Sequence, residues 1–248
     1  MNDVFADRTA AGRRLAHALA RRRFPDPVVL ALPRGGVPVA LEVALALHAP
    51  LDLLVVRKIG AAGDAELAVG AIADGAQAPV IDPDSLARTG TPAAHVAREL
   101  QAQRREIARR RTLYLRDRIP LPVTGRTAIV VDDGLATGCT ALDAVRALRE
   151  RKPARVVLAV PVAPRAALVR LRPEVDELVC LSTPESFYAV GAHYADFRQV
   201  EDEEVTAAIA RAAAGNTPTP HPVHEGPPSA PASPTPPRDL DHHQGGHT

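Results

Sequence analysis

The chain has 248 residues, 46% of them hydrophobic, and a formal net charge of +1. That length supports one good-sized core, or one domain with an appendage, and the charge gives no bulk reason to invoke nucleic acid or a membrane. Cys139 and Cys180, the two cysteines, lack metal-ligand spacing and argue against a disulfide scaffold, which points to a reducing cytoplasm.

Asp3, Asp7 and Arg8 interrupt any N-terminal leader pattern, and no run of about 18 uncharged apolar residues suits a transmembrane helix. Residues 8–22 set Leu15, Ala18 and Leu19 among Arg and His, as an amphipathic helix does. Residues 28–32 read as a short apolar strand. Pro33-Arg34-Gly35-Gly36 then turns sharply into a helix over 38–47, with Pro38 in its first turn. A second strand spans 51–56 and ends at Arg57-Lys58. Residues 67–73 open a hairpin-like excursion through Gly75 toward Val80 and Ile81.

Residues 93–115 form a long Arg-rich helix. Its stripe of Arg104, Arg105, Arg109, Arg110 and Arg111 reads either as a solvated face paired with Glu99 and Glu106, or as a contact with a second subunit. RNA binding lacks aromatic interleaving to back it. After Gly125 the pattern runs strand (129–131), helix (141–149), strand (156–162), helix (165–171) and strand (178–181). Such alternation predicts an α/β fold, a doubly wound and mainly parallel sheet, with ligands at the carboxyl ends of the strands.

From Gly215 onward nearly every apolar residue is Pro or Ala, so residues 215–248 read as a disordered Pro/His-rich tail. His221, His224, His242, His243 and His247 lie in it. Scattered imidazoles on flexible chain make poor metal sites, and the plain reading is a solvated tail.

The stretch from Ile129 to Ala141 carries the most chemistry: Ile-Val-Val-Asp-Asp-Gly-Leu-Ala-Thr-Gly-Cys-Thr-Ala. An apolar strand ends in two carboxylates, and a small loop leads into a helix. Amides of the loop and helix start make an anion site. Thr137 and Thr140 add hydroxyls, while Gly134 and Gly138 admit close backbone approach. Asp132 and Asp133 repel bare phosphate and suit sugar hydroxyls or a metal. The alternative is an ordinary crossover with an acidic strand end. In the earlier turn, Gly35 and Gly36 let amides wrap an anion, and Arg34 adds a bidentate charge.

These motifs resemble those of the type I phosphoribosyltransferases, whose signature is an apolar strand, two acids and a Thr-Gly-x-Thr loop. The span from Phe5 to Val205 is similar to a bacterial group of phosphoribosyltransferases of unassigned acceptor. The residues that carry this likeness are Asp7-Arg8 with Ala11-Gly12, Leu32 to Gly36, Val56 to Gly60, Glu66 to Ile72, Val131 to Gly134 and Phe187 to Phe197. The resemblance implies a phosphoribosyltransferase domain over 1–214, with a mobile-loop or arm region at 60–124 and a small C-terminal hood at 182–200.

It further implies Mg²⁺-bound phosphoribosyl pyrophosphate (PRPP) as donor, in nucleotide metabolism. The 5-phosphate would lie on Gly134, Leu135, Ala136, Thr137, Gly138, Cys139 and Thr140. Asp132 and Asp133 would take the ribose hydroxyls, directly or through the metal. Arg34, Gly35, Gly36, Arg57 and Lys58 would gather the pyrophosphate, with Lys58 beside the two acids in the reaction and a cis peptide in the Arg34 loop. A homodimer is implied because relatives commonly form one.

Enzymes of this family for 6-oxopurines usually carry an acid where this chain has Ala136, so it resembles instead the Leu-Ala-Thr-Gly variety seen in adenine and uracil enzymes. Phe187, Tyr188, Tyr194 and Phe197 are four of the seven aromatic residues. Phe187 or Tyr188 could stack on a planar acceptor, or the group could simply pack a C-terminal strand; His193 reads as a surface residue. The second functional reading is a non-catalytic PRPP sensor. Arg34 and Lys58 on the pyrophosphate side favour chemistry, and no appended DNA-binding helix pair is recognisable.

Overall fold

A computed structural model of the chain describes residues 4–116 and 118–215. The tail histidines at 221, 224, 242, 243 and 247 lie outside the described residues. In chain order the elements are α1 (Arg8–Ala20), β1 (Pro27–Ala31), α2 (Gly36–Leu47), β2 (Leu51–Leu53), β3 (Val56–Ala61), β4 (Asp64–Ala73), β5 (Val80–Ile81), α3 (Pro83–Thr89), α4 (Ala93–Leu115), β6 (Thr127–Val131), α5 (Cys139–Arg149), β7 (Arg155–Val162), α6 (Arg165–Leu171), β8 (Glu177–Ser182) and α7 (Asp202–Gly215).

Five strands make a parallel sheet in the order β2-β1-β6-β7-β8. Their apolar runs are continuous because both faces are covered. On one face Val29, Ala31, Ile129, Val131, Val157 and Ala159 pack against α1, α2, α4 and α7. Val28, Leu30, Ala128, Val130, Val156 and Leu158 point the other way, onto α5 and α6. The sheet is therefore wound on both sides, and β1 and β6 are adjacent at its centre.

The expected second strand over 51–56 is two strands in two sheets. Leu54 N–H still donates to Ala31 O (2.9 Å), but Val55 O accepts Asp74 N–H (2.8 Å), so the chain changes partner there. Val56 onward runs into an antiparallel sheet, β3-β4-β5. Hydropathy does not mark the switch, because residues 51–55 are buried throughout. Gly70 is required here: a Cβ would lie 2.5 Å from Val80 O. Ile59, Ala61 and Val69 give this arm a small core of its own beneath Leu86, Val96 and Leu100.

The arginine stripe on α4 divides. Arg109 and Arg110 pair with Glu106 at 2.8 and 2.9 Å on the surface. Glu99 receives Gln103 rather than an arginine. Arg111 leaves the solvated face altogether: it is buried against Asp74 and lies 3.8 Å from Asp52.

Two helices went unread in the sequence. In α3, Asp82 caps the start, accepting Asp84 N–H, and Pro83 follows at the first helical position. In α7, three acids fill the first turn and Val205, Ala208, Ile209 and Ala212 form one buried face. Between β8 and α7 the chain is irregular apart from a short 3₁₀ turn at Val190–His193. The N-terminal segment pairs with it: Phe5 N–H donates to His193 O (2.9 Å), and Ala195 and Asp196 donate back to Phe5 and Ala6 at 2.8 and 2.9 Å.

Candidate active site

Adjacent parallel strands put their following loops side by side, so the turn after β1 and the loop after β6 share one end of the sheet. Their contact is intimate. A Cβ on Gly35 would lie 2.1 Å from Asp133 Oδ2, and one on Gly36 would lie 2.7 Å from Val131 O and 2.9 Å from Asp132 Cα. Glycine at both positions is what lets the turn lie against the two acids. The Pro33–Arg34 peptide between β1 and these glycines is cis.

Asp132 Oδ1 accepts the N–H of Asp133 at 2.9 Å. Burial, and then the neighbouring charge of Asp133, holds the Asp132 carboxyl well above the usual aspartate range. Burial also raises Asp133, against the pull of Arg8. Arg8 Nε donates to Asp133 Oδ2 at 2.7 Å, with side chains only 11% and 13% exposed. Tyr194 Oη donates to the backbone carbonyl of the same residue at 2.5 Å, and burial raises its phenol. Two adjacent carboxyl groups with one arginine make an oxygen-rich site that suits hydroxyl donors or a hard cation.

Beyond the acids, Gly134 is buried, and a Cβ there would lie 2.5 Å from Val190 Cγ1. Leu135, expected in the phosphate cradle, turns its side chain into the core and gives its N–H to Val162 O at 2.9 Å. Ala136, Thr137, Cys139 and Thr140 are exposed around the start of α5, and Gly138 takes the left-handed φ of +73° that opens the helix. Arg170 of α6 donates to Thr137 O and lies 3.6 Å from Cys139 Sγ.

The basic residues are more dispersed. Arg34 Nη1 lies 3.4 Å from Asp202 Oδ1. Arg57 Nε donates to Gln103 Oε1 at 2.8 Å, so it braces the arm against α4. Lys58, opposite Ala71 on β3, is exposed. Asp143 on α5 is raised by burial, against the pull of Arg146, Arg170 and, least of the three, Lys58.

Of the expected acceptor residues, Phe187 stacks on His193 with ring centroids 5.2 Å apart, while Tyr188 is 97% exposed. His193 is no surface residue: it is buried, and its Nε2 has no hydrogen-bond partner among the described residues. Sequence reasoning missed the roles of Arg8, Tyr194, Arg170 and Asp202 here. Asp7-Arg8 stood in the sequence only as part of the family likeness, with no role attached to Arg8; in the structure Asp7 caps α1, accepting Ala10 N–H at 2.6 Å.

The chain is similar to known proteins. The family model described as the phosphoribosyl transferase domain matches residues 5–196. Two curated proteins of Mycobacterium tuberculosis, from strains CDC 1551 and H37Rv and each provisionally named a phosphoribosyl transferase, are 47% identical over 210 residues. That match covers 84% of this chain but 47% of theirs, so the chain spans about half the length of the curated relatives it matches. The crystal structure of TT1426 from Thermus thermophilus superposes with a TM-score of 0.75 at 44% identity, over 83% of this chain and 97% of that one. A matched domain over most of the chain and a shared mainly parallel α/β fold make this protein a member of the phosphoribosyl transferase domain family.

Proposed function

We propose that the protein transfers the 5-phosphoribosyl group of PRPP to a nitrogenous, nucleobase-like acceptor and releases pyrophosphate. The observation that carries this reading is the packing of Gly35 and Gly36 on Asp133 and Asp132 beside the start of α5, which sets an anion-binding turn, two acids and a helix N-terminus together.

In this reading the 5-phosphate lies on the loop from Gly134 to Thr140, without the Leu135 amide, which the fold already uses. Asp132 and Asp133 accept hydrogen bonds from the ribose hydroxyls. Arg34, Arg57, Lys58 and the amides of Gly35 and Gly36 gather the pyrophosphate. As the bond from C1 to the pyrophosphate oxygen breaks, positive charge develops on the sugar and the two carboxylates stabilise it. The acceptor nitrogen then attacks C1. Phe187, whose ring already stacks on His193, is the better placed of the two proposed acceptor contacts; Tyr188 reaches the acceptor only by folding in from solvent.

The oxygen-rich acid pair fits Mg²⁺: Asp132 and Asp133 would hold it together with PRPP, and when bound it would neutralise pyrophosphate charge. A homodimer belongs to the same proposal, on the family resemblance. No helix among the described residues is long and apolar enough to cross a membrane.

The deciding experiment is incubation with labelled PRPP, Mg²⁺ and a panel of bases, following pyrophosphate release. Acceptor-dependent release supports the transferase. Tight PRPP binding without release for any base would replace it by the sensor reading.

A further inference from the structure

The residue that the proposed chemistry leaves unused is Arg8, and it is the one most tightly built into the site. Its guanidinium is held on three sides. Nε donates to Asp133 Oδ2 at 2.7 Å, Nη1 donates to Arg198 O at 2.7 Å, and Cζ lies 3.9 Å from the centroid of the Phe197 ring. Phe197 in turn packs on Tyr194 with ring centroids 5.0 Å apart, and Tyr194 holds the carbonyl of Asp133. Asp133 is thus gripped at its side chain by the first residue of α1 and at its backbone by the irregular segment before α7. Both grips come from chain that pairs with itself through Phe5 and Tyr194.

A surface arginine is free to swing; this one is nearly buried and meets three partners in fixed directions. Its planar fork matches one carboxylate oxygen and one carbonyl at once, which a lysine cannot reproduce. It engages Oδ2, the oxygen that lies against Gly35, and so fixes how the carboxylate is turned.

We propose that Arg8 is a positioning residue for Asp133. It clamps Oδ2 so that Oδ1 stays turned toward the ribose hydroxyls, and it makes that alignment depend on the N-terminal segment being docked. The inference rests on the reading of Asp133 as a ribose ligand. No contact between Arg8 and substrate is needed.

The test is a double-mutant cycle on PRPP affinity, by calorimetry in the presence of Mg²⁺, with wild type, Arg8→Ala, Asp133→Asn and the double variant. Arg8→Ala alone is expected to weaken PRPP binding roughly 10- to 100-fold, the worth of a charge-assisted hydrogen bond. In the Asp133→Asn background the same substitution should cost almost nothing further. Arg8→Lys, which keeps charge but not the fork, should fall between Ala and wild type, and serves if the Ala variant does not fold. An Arg8 that merely staples the N-terminus would weaken binding equally in both backgrounds, and that additive result would overturn the proposal while leaving the functional reading intact. Wild type that fails to bind PRPP, or Asp133→Asn that binds it normally, would overturn the functional reading and this inference with it.

Discussion

Tyr114 Oη donates to Asp202 Oδ1 at 2.7 Å, and Arg34 Nη1 approaches the same oxygen at 3.4 Å. One carboxylate at the start of α7 therefore joins the last turn of the arm helix to the turn after β1. The phenol of Tyr114 is raised by burial and by this bond. The two contacts differ in kind. The first is a hydrogen bond that secures α4, whereas the second sets an anion beside the arginine proposed to meet pyrophosphate.

Tyr114→Phe should accordingly lower stability by about 0.5–1.5 kcal/mol, the usual net worth of one such bond, with little change in pyrophosphate affinity. Asp202→Asn should do something different. It removes a competing charge from Arg34, so pyrophosphate should bind a few-fold more tightly, by about 0.2–1 kcal/mol, and the gain should fade in high salt. Urea unfolding reads the stability loss, and titration calorimetry with pyrophosphate at two salt concentrations reads both affinities. Weaker binding by Asp202→Asn would mean that the carboxylate positions Arg34 rather than competing for it.

The two glycines of the turn should separate by what their absent side chains would meet. At Gly35 a Cβ strikes the end of the Asp133 side chain, which can rotate away only by giving up its bond to Arg8. Gly35→Ala should fold with a stability loss no larger than that one bond, about 1.5–3 kcal/mol, and lose PRPP affinity because the carboxylate is displaced. At Gly36 the obstacles are backbone atoms of Val131 and Asp132. The start of α2 and the end of β6 would have to part, at a cost of about 1–3 kcal/mol as for overpacking elsewhere. Melting curves and PRPP titrations on the two variants check the contrast. A loss at Gly35 larger than that one bond would show that the Asp133 side chain has no room to yield.

What could be read from the sequence was contiguous. The loop from Asp132 to Thr140 and the turn from Pro33 to Gly36 each hold their glycines, acids and hydroxyls within a few residues, and β1 and β6 do bring them together. Helix α4 begins and ends where its pattern says, because its apolar and charged positions keep one period over 23 residues. What escaped is long-range. Arg8 reaches Asp133 across 125 positions, and nothing local to either residue encodes the pair. The partner change at Val55 is hidden because a buried strand has the same apolar composition in either sheet. Arg111 looked like its surface neighbours Arg109 and Arg110, since helical position alone does not reveal that Asp52 and Asp74 wait beneath it.

That last cluster should be a stability determinant. Asp52 is spent on fixing backbone, accepting Leu53 N–H at 2.9 Å and Leu121 N–H at 2.8 Å, and Arg111 answers the charge of the two buried acids. Arg111→Met leaves only Arg151, which meets Asp74 at its backbone carbonyl at 3.4 Å, to offset those carboxylates, so the cost should approach the roughly 3–5 kcal/mol of a broken buried pair. The deficit should depend on pH. Burial already raises Asp74 above its ordinary value even against the pull of Arg111. With Arg111 gone the protonated form is favoured further, so the deficit should shrink as the pH falls and Asp74 takes up its proton. Urea unfolding at several pH values measures it. A deficit that stays constant with pH would show that Arg111 contributes packing rather than charge.

Asp132 should behave in the opposite way to a stabilising carboxylate. In the fold its carboxyl is held well above the ordinary aspartate value of 3.8, by burial first and the charge of Asp133 second. A raised value means that the folded protein binds the proton more tightly than the unfolded chain does. The stability this group contributes is therefore full below the unfolded value and is lost as pH rises through the folded one. Near neutral pH, where the unfolded chain carries this group ionised, the raised value opposes folding. Asp132→Asn keeps an oxygen for the Asp133 N–H and sheds the charge, so it should melt at a higher temperature than wild type near neutral pH. The gap should close as the pH falls toward 3.8. The same variant should lose most of the rise in melting temperature that PRPP with Mg²⁺ gives wild type, since the charge that destabilises the empty fold is the one proposed to hold the ligand. Scanning calorimetry of both proteins, with and without PRPP, across that pH range tests the pair of effects together. A variant less stable than wild type at neutral pH would mean that Asp132 is held by its surroundings as an ion, and that its burial carries no net electrostatic cost.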